Sequence, residues 1–180
     1  MFIDKPTSRR FPRVPFERRT YAFLIDFILV WLISSIAGNN WLLELLIFIF
    51  AWLILRVVVV DRNKGQSLGR WALDMRIIDP RSNKTPSIAT LAKREGILGM
   101  AAFFAMIGLK VNFANPISLF IFISPLFADG ATALGDEEYY RTFHDRFSQT
   151  LIIGTRRGFS LDLRVKKLIN DFKRSRRKYR

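Results

Sequence analysis

The sequence predicts an α-helical integral membrane protein of about four transmembrane helices in two hairpins, with a small cytoplasmic two-stranded β element. Three observations lead there. Half of the 180 residues are hydrophobic, and from Tyr21 to Ala37 (YAFLIDFILVWLISSIA) the only charge is Asp26. The net charge of +14 is segregated: residues 1–19 hold six Lys/Arg against two acids, 61–96 eight against four, and 129–180 thirteen against seven. The connectors between the apolar runs are almost free of charge: Gly38-Asn39-Asn40 has none, and the stretch near 110–115 has only Lys110. Basic segments separated by paired apolar runs form the positive-inside pattern, which places both termini in the cytoplasm. A soluble protein of this charge would point to nucleic acid; the distribution argues against that and in favour of anionic lipid head groups as partners.

In order along the chain, residues 1–15 form a basic leader with Pro6, Pro12 and Pro15, expected to be extended on the membrane surface. No short apolar core with a small-residue cleavage site occurs in the first twenty residues, so the first apolar run reads as a retained anchor. Helix one is expected from about Glu17 to Ala37 and helix two from Trp41 to Val60, the latter twenty residues long and sufficient for a ~30 Å hydrocarbon core. Glu44 and Arg56 sit towards opposite ends of helix two, from which both can snorkel to polar surroundings. Large apolar and polar residues alternate from Trp71 to Ile77, a strand pattern, and Gln149–Ile153 supplies a second strand to pair with it. Ser87 is the expected N-cap of a third helix that enters the bilayer near Ile97. The last limb, Ile117 to Ala128, is the shortest span: twelve residues rise about 18 Å. Over residues 158–180, Leu161, Val165, Leu168, Ile169 and Phe172 share one helical face, largely opposite Lys166, Lys167, Arg174 and Arg177. That pattern describes a basic amphipathic helix for an anionic membrane or a partner, with a solvated tail as the alternative.

Asp26 is the strongest site candidate, because a carboxylate at membrane depth needs a partner or a wet cavity. Arg19 precedes it by seven residues, close to two turns or about 10.5 Å, so Arg19, Ala22 and Asp26 share a face that can turn inward. Two readings stand. Asp26 is either a structural carboxylate tied to Arg19, Arg94 or a helix end, or an ion- or proton-binding group whose pKa is raised by burial. The structural reading is preferred because no second embedded acid is expected at similar depth, Glu44 being too near the opposite surface.

Other chemistries are expected to be absent. There is no cysteine, hence no disulfide or thiolate metal site. The chain has one histidine, so the His144-Asp145 doublet lacks the further imidazoles of a metal hydrolase site. Asp145 is expected to cap a helix or to pair with Arg19 or Arg70. The Gly65–Arg70 stretch (GQSLGR) spaces its glycines by three residues and lacks lysine followed by a hydroxyl, so it reads as a tight interfacial turn rather than a phosphate loop. Gly96, Gly99 and Gly108 read as sites of close helix packing. No cofactor, metal or catalytic constellation is expected.

Four of these segments, in order, resemble the RDD family of small membrane proteins, named for one arginine and two aspartates. They are Arg19-Thr-Tyr-Ala22-Phe-Leu-Ile-Asp26, Gly65-Gln66-Ser67-Leu68-Gly69-Arg70, Leu91-Ala92-Lys93-Arg94-Glu95, and His144-Asp145-Arg146-Phe147-Ser148-Gln149-Thr150. The resemblance covers roughly residues 16–157 and departs from the family where Arg70 replaces the lysine that ends the second motif. It implies Arg19, Asp26 and Asp145 as the name-giving residues, and it carries no agreed activity, although ion or proton transport has been suggested. The leader resembles cyanobacterial members, which would make the membrane a thylakoid instead of a bacterial inner membrane. The function expected is that of a non-enzymatic accessory, scaffold or assembly subunit that associates with other membrane proteins or with itself. A small cation/proton transporter using Asp26 is the alternative; the internal repeats and broken helices usual for alternating access are not visible.

Overall fold

The computed structural model describes residues 11–38, 40–111, 116–136 and 138–155, with a few positions between 160 and 167. Helix α1 (Phe16–Ser34) starts after Pro15, whose extended backbone and missing N–H suit the position before a helix. Its buried residues are Arg19, Ala22, Asp26, Phe27, Val30 and Ser34, a stripe at helical spacing. Tyr21, Leu24, Ile28 and Leu32 are exposed on the other side. A 3-10 turn (Ser35–Ala37) and Gly38 at φ 63° then reverse the chain. Helix α2 (Trp41–Leu53) is capped by Asn40, whose side chain accepts from the Leu43 N–H at 3.1 Å.

The chain then passes through one π-helical stretch, Ile54–Val58, into α3 (Val59–Arg62). Such bulges are rare and concentrate at functional positions. This one buries Leu55, Arg56 and Val57 in succession, whereas a regular helix would turn at least one of three consecutive residues away.

A short helix α4 (Leu68–Ala72) precedes strand β1 (Met75–Ile78). The strand expected from Trp71 therefore starts later. The Ser67 hydroxyl accepts from the Arg70 N–H (3.4 Å) and nucleates a helical turn that takes up Trp71 and Ala72. Helix α5 (Ile88–Val111) is capped by Ser87, which accepts from the Thr90 N–H at 3.3 Å. Helix α6 (Pro116–Ala131) runs on into a 3-10 turn (Thr132–Gly135), so the final limb exceeds its twelve-residue apolar count because polar Asp129 and the small residues after it continue the helix. Helix α7 (Phe143–Phe147) leads to β2 (Leu151–Gly154), which pairs antiparallel with β1, Met75 opposite Gly154 and Ile78 opposite Leu151.

Among the described residues three helical rods are long and apolar enough to cross a membrane: Phe16–Ala37, Trp41–Arg62 and Pro116–Gly135. At 1.5 Å per residue, twenty-two residues reach about 33 Å. Helix α5 has 24 residues but carries Lys93, Arg94 and Glu95 within its first turns.

Helix α1 packs on α2 and α4, α5 packs on α6, and α7 rests on α5. Two apolar clusters form the interior. One joins Ala22, Val57, Val60 and Leu91 to Met75 and Ile77 of the sheet. The other joins Phe27, Val30, Phe48, Trp52, Leu98 and Ala102 between the long helices. On α5, the close packing expected of the glycines holds at two of three. A Cβ on Gly99 would lie 2.7 Å from Trp52 and one on Gly108 would lie 2.6 Å from Phe122, whereas Gly96 faces open space. At the C-terminal end, Leu161, Leu163, Arg164, Val165 and Lys167 are helical and exposed, while Lys166, Arg174 and Arg177 lie outside the described residues.

Candidate functional site

A polar layer joins residues of α1, the π-helical stretch, α4, α5, α6 and α7. Asp26, fully buried on α1, accepts three hydrogen bonds: from Arg56 Nη1 at 2.7 Å, Ser67 Oγ at 2.6 Å and the Gly69 N–H at 2.8 Å. Of the partners expected for it, the helix end is found, as the Gly69 N–H in the first turn of α4, but the arginine is Arg56 and not Arg19 or Arg94. Arg19 lies seven residues away along the same helix, and its long side chain extends away from Asp26 to Asp145 and to the carbonyls of Tyr139 and Tyr140. Arg56 does not snorkel. It is 2% exposed, its guanidinium lies over the Trp52 ring at 5.0 Å, and it divides its N–H groups between Asp26 and Glu95. Glu95 is the second buried acid that the sequence analysis did not anticipate, joined through Arg56 directly to Asp26. It accepts from Arg56 Nε (2.7 Å), Arg70 Nη2 (3.0 Å) and Arg94 Nη1.

The GQSLGR stretch explains why these groups meet. Gly65 adopts φ +88°, and a Cβ there would stand 2.3 Å from the Ile77 carbonyl oxygen, so only glycine lets the loop lie against β1. The Gln66 side chain donates to the Met75 carbonyl at 2.8 Å and holds the loop to the strand. Ser67 caps α4 through its lone pair and donates its proton to Asp26. At Gly69 an added Cβ would lie 2.1 Å from the Ala22 carbonyl oxygen; without one, α4 touches the α1 backbone and its amide reaches Asp26. Arg70 then reaches Glu95.

The other half of the layer centres on Asp145. Its carboxylate accepts from Arg19 Nη2, Arg94 Nη2 (2.7 Å) and the Thr142 N–H (3.3 Å), so it both pairs two arginines and completes the capping box of α7. Burial alone would raise this carboxyl, but Arg19 and Arg94 outweigh it and hold it well below the usual range. His144 stands beside it. Arg94 has only donors, so its 2.9 Å contact makes His144 Nε2 an acceptor, and the ring proton sits on Nδ1, which donates to Asp129 Oδ2 at 2.7 Å. Burial, reinforced by Arg94, pushes the His144 pKa down, in keeping with the neutral ring. Burial with Arg56 and Arg94 nearby also lowers Arg70 to about 9.

At the far end of the bundle Glu44, expected to snorkel, is buried and paired with Lys110 instead. Of the residues singled out in the sequence, Arg19, Asp26, Arg70, Arg94 and Asp145 come together in one layer, and Gly65 and Gly69 frame it. Arg56, Glu95 and Asp129 were missed. One signal for Arg56 was present: it is the lone base of the second apolar run, as Asp26 is the lone acid of the first.

Among the described residues no group of three or more His, Asp or Glu side chains is arranged to hold a metal ion. The layer pairs buried charges and ties elements of the fold together. No curated protein and no solved structure matches the chain. Over residues 13–149, a stretch that contains the arginine and both aspartates joined through this layer, the chain matches the RDD family, and it belongs to that family of membrane proteins.

Proposed function

We propose that the protein is a non-enzymatic accessory, scaffold or assembly subunit of a membrane protein complex. The observation that carries this reading is the enclosure of Asp26: it is 0% exposed, and three donors occupy its carboxylate. A carrier carboxylate exchanges its ion with water, whereas this one is held by groups on α3's approach, the GQSLGR loop and α4. A buried ionic network adds little net stability relative to apolar packing; its attested use is to fix one arrangement of elements. Here it fixes the sheet-bearing cap on the helix bundle and so presents a defined surface.

The topology belonging to this reading has four spans, with α5 as the third, and both termini in the cytoplasm of a bacterial inner membrane. The basic segments then face anionic head groups and a partner subunit. Purification of the full chain from its native membrane in a mild detergent should yield a stoichiometric membrane-protein partner. Tags at residues 1 and 180 should both report the cytoplasm, and a tag at Asn39 the opposite side. If Asp26→Asn accumulates normally and abolishes a cation-dependent proton flux in proteoliposomes, the protein is a transporter and the scaffold reading falls.

A further inference from the structure

A cleft of about 610 Å³ opens between α1, α5 and α6. Its walls are apolar, formed by residues such as Phe23, Phe27, Leu98, Leu109 and Ile123. Two features set it apart from a packing gap. Its rim includes Leu24 on α1 and Phe127 on α6, both exposed and both within candidate membrane spans, so its mouth faces the bilayer interior. Its lining also includes Arg19, Arg56, Arg70 and Arg94, while Asp26, Glu95 and Asp145, the acids that pair with them, are not among the lining residues. Four buried arginines thus contribute to its lining and, of the acids, only Asp129, which accepts from His144. Arg70 is 2% exposed, and its Nη1 has no hydrogen-bond partner among the described residues. A buried donor without an acceptor is costly, and a phosphate oxygen could supply the acceptor that it lacks.

We propose that this cleft holds one acyl chain of an anionic membrane lipid, with the acidic head group against Arg70. Basic pockets between transmembrane helices are established sites for acidic head groups. A volume of 610 Å³ lies within the ~300–1,000 Å³ usual for small-molecule ligands. A helix about 10–12 Å across and rising 5.4 Å per turn would fill it in little more than one turn, so a partner helix fits poorly where a flexible chain fits well. The proposal stands independently of the scaffold reading: a lipid can occupy the cleft whether or not a partner subunit is present.

The test uses the full chain, delipidated in detergent and titrated with phosphatidylglycerol or phosphatidylcholine of identical chains. Dodecyl phosphate and inorganic phosphate serve as competitors, and native mass spectrometry reads the bound species. One phosphatidylglycerol should be retained per chain, with a preference over phosphatidylcholine of about fivefold, the attraction of one basic side chain for an anionic head group. Dodecyl phosphate should displace it and inorganic phosphate should not. Gly130→Leu fills the cleft from α6, where an added Cβ makes only an ordinary 3.5 Å contact with Phe16, and should abolish retention while the folded bundle persists. Arg70→Gln should remove the head-group preference and leave chain retention; if that variant does not fold, Gly130→Leu alone decides. Equal retention of the two lipids by the wild type, or unchanged retention in Gly130→Leu, overturns the proposal. Displacement by inorganic phosphate assigns the site to a free anion, and a disulfide trapped between a co-purifying subunit and cysteines at positions 24 and 127 assigns it to a protein; either result also overturns it.

Discussion

The two ends of the helix bundle handle buried charge in opposite ways. At one end, Asp26, Glu95 and Asp145 are each fully buried and each accept from at least two elements of the fold. At the other, Glu44 and Lys110 form a single pair, with the lysine side chain 44% exposed. The first arrangement joins elements far apart in the sequence, such as α1 and α7, and it leaves none of these three carboxylates to water. The second lets a helix end carry charge close to a surface. Where the protein has to hold a cap on a bundle it uses shared carboxylates, and where it has only to join two neighbouring helices, α2 and α5, it uses one pair.

Removing a member from each end should separate the two cases most widely. Asp26→Asn leaves Arg56 without one of its two acids in a buried layer, a loss of about 3–5 kcal/mol. The variant should accumulate poorly at every pH and unfold early in detergent thermal melts. If it is as stable as the wild type, the layer does not bind the cap. Gly69→Ala tests the same junction without touching charge. Its methyl would lie against the Ala22 carbonyl and push α4 off α1, and overpacking of this kind costs about 1–3 kcal/mol. Unchanged stability, together with a retained Asp26 hydrogen bond, would show that the loop is free to move.

The pH response follows from His144. Its pKa is lowered in the fold, so the unfolded chain takes up the proton first; stability is full above the ordinary histidine range near 6.5 and declines as pH falls below it, towards the depressed native value. Asp129, Arg94 and Asp145 face the ring, and Asp145 titrates well below this window. One proton limits the slope to about 1.4 kcal/mol per pH unit. Melts between pH 8 and 5 should show this decline, and His144→Gln should flatten it; a flat wild-type profile would mean that the ring is already charged or already wet. The smallest effect is expected at the other end. Lys110→Gln should shift stability by no more than about 1 kcal/mol, as half-exposed pairs do. A loss as large as that of Asp26→Asn would erase the contrast between the two ends.

What could be read in the sequence divides along the same physical line. Helix positions, the Gly38 reversal, the Ser87 cap and the pairing of two short strands are local or periodic signals, and they appear in the structure with small shifts at the ends. The inward face of Arg19, Ala22 and Asp26 is likewise a matter of helical period. Which arginine meets which acid was legible in part: Asp145 caps α7 and pairs with Arg19, as expected, whereas the arginine that meets Asp26 depends on depth and on the direction of long side chains. Arg56 looked free to snorkel because a regular α2 would let it; the π-helical stretch at Ile54–Val58, invisible in composition, turns it inward. Glu95 was passed over for a related reason. It follows Lys93 and Arg94 in a stretch that reads as a polar helix entry, and only the packing of α5 against the approach to α3 brings it beneath Arg56.

The sequence separations within the polar layer also set a clock. Asp26 and Arg56 are 30 residues apart, Arg56 and Glu95 are 39 apart, Arg94 and Asp145 are 51 apart, and Arg19 and Asp145 are 126 apart. A ribosome adds about 5–20 residues per second, so Arg19 waits roughly 6–25 s after its own synthesis for its carboxylate to be made. Asp26 waits only a few seconds for Arg56. The acid set deepest in the first helix is therefore neutralised by the next helix of the same hairpin, early in synthesis. The arginine that waits longest lies on the first turns of α1, where the nascent chain can keep it at the membrane surface until the cap arrives.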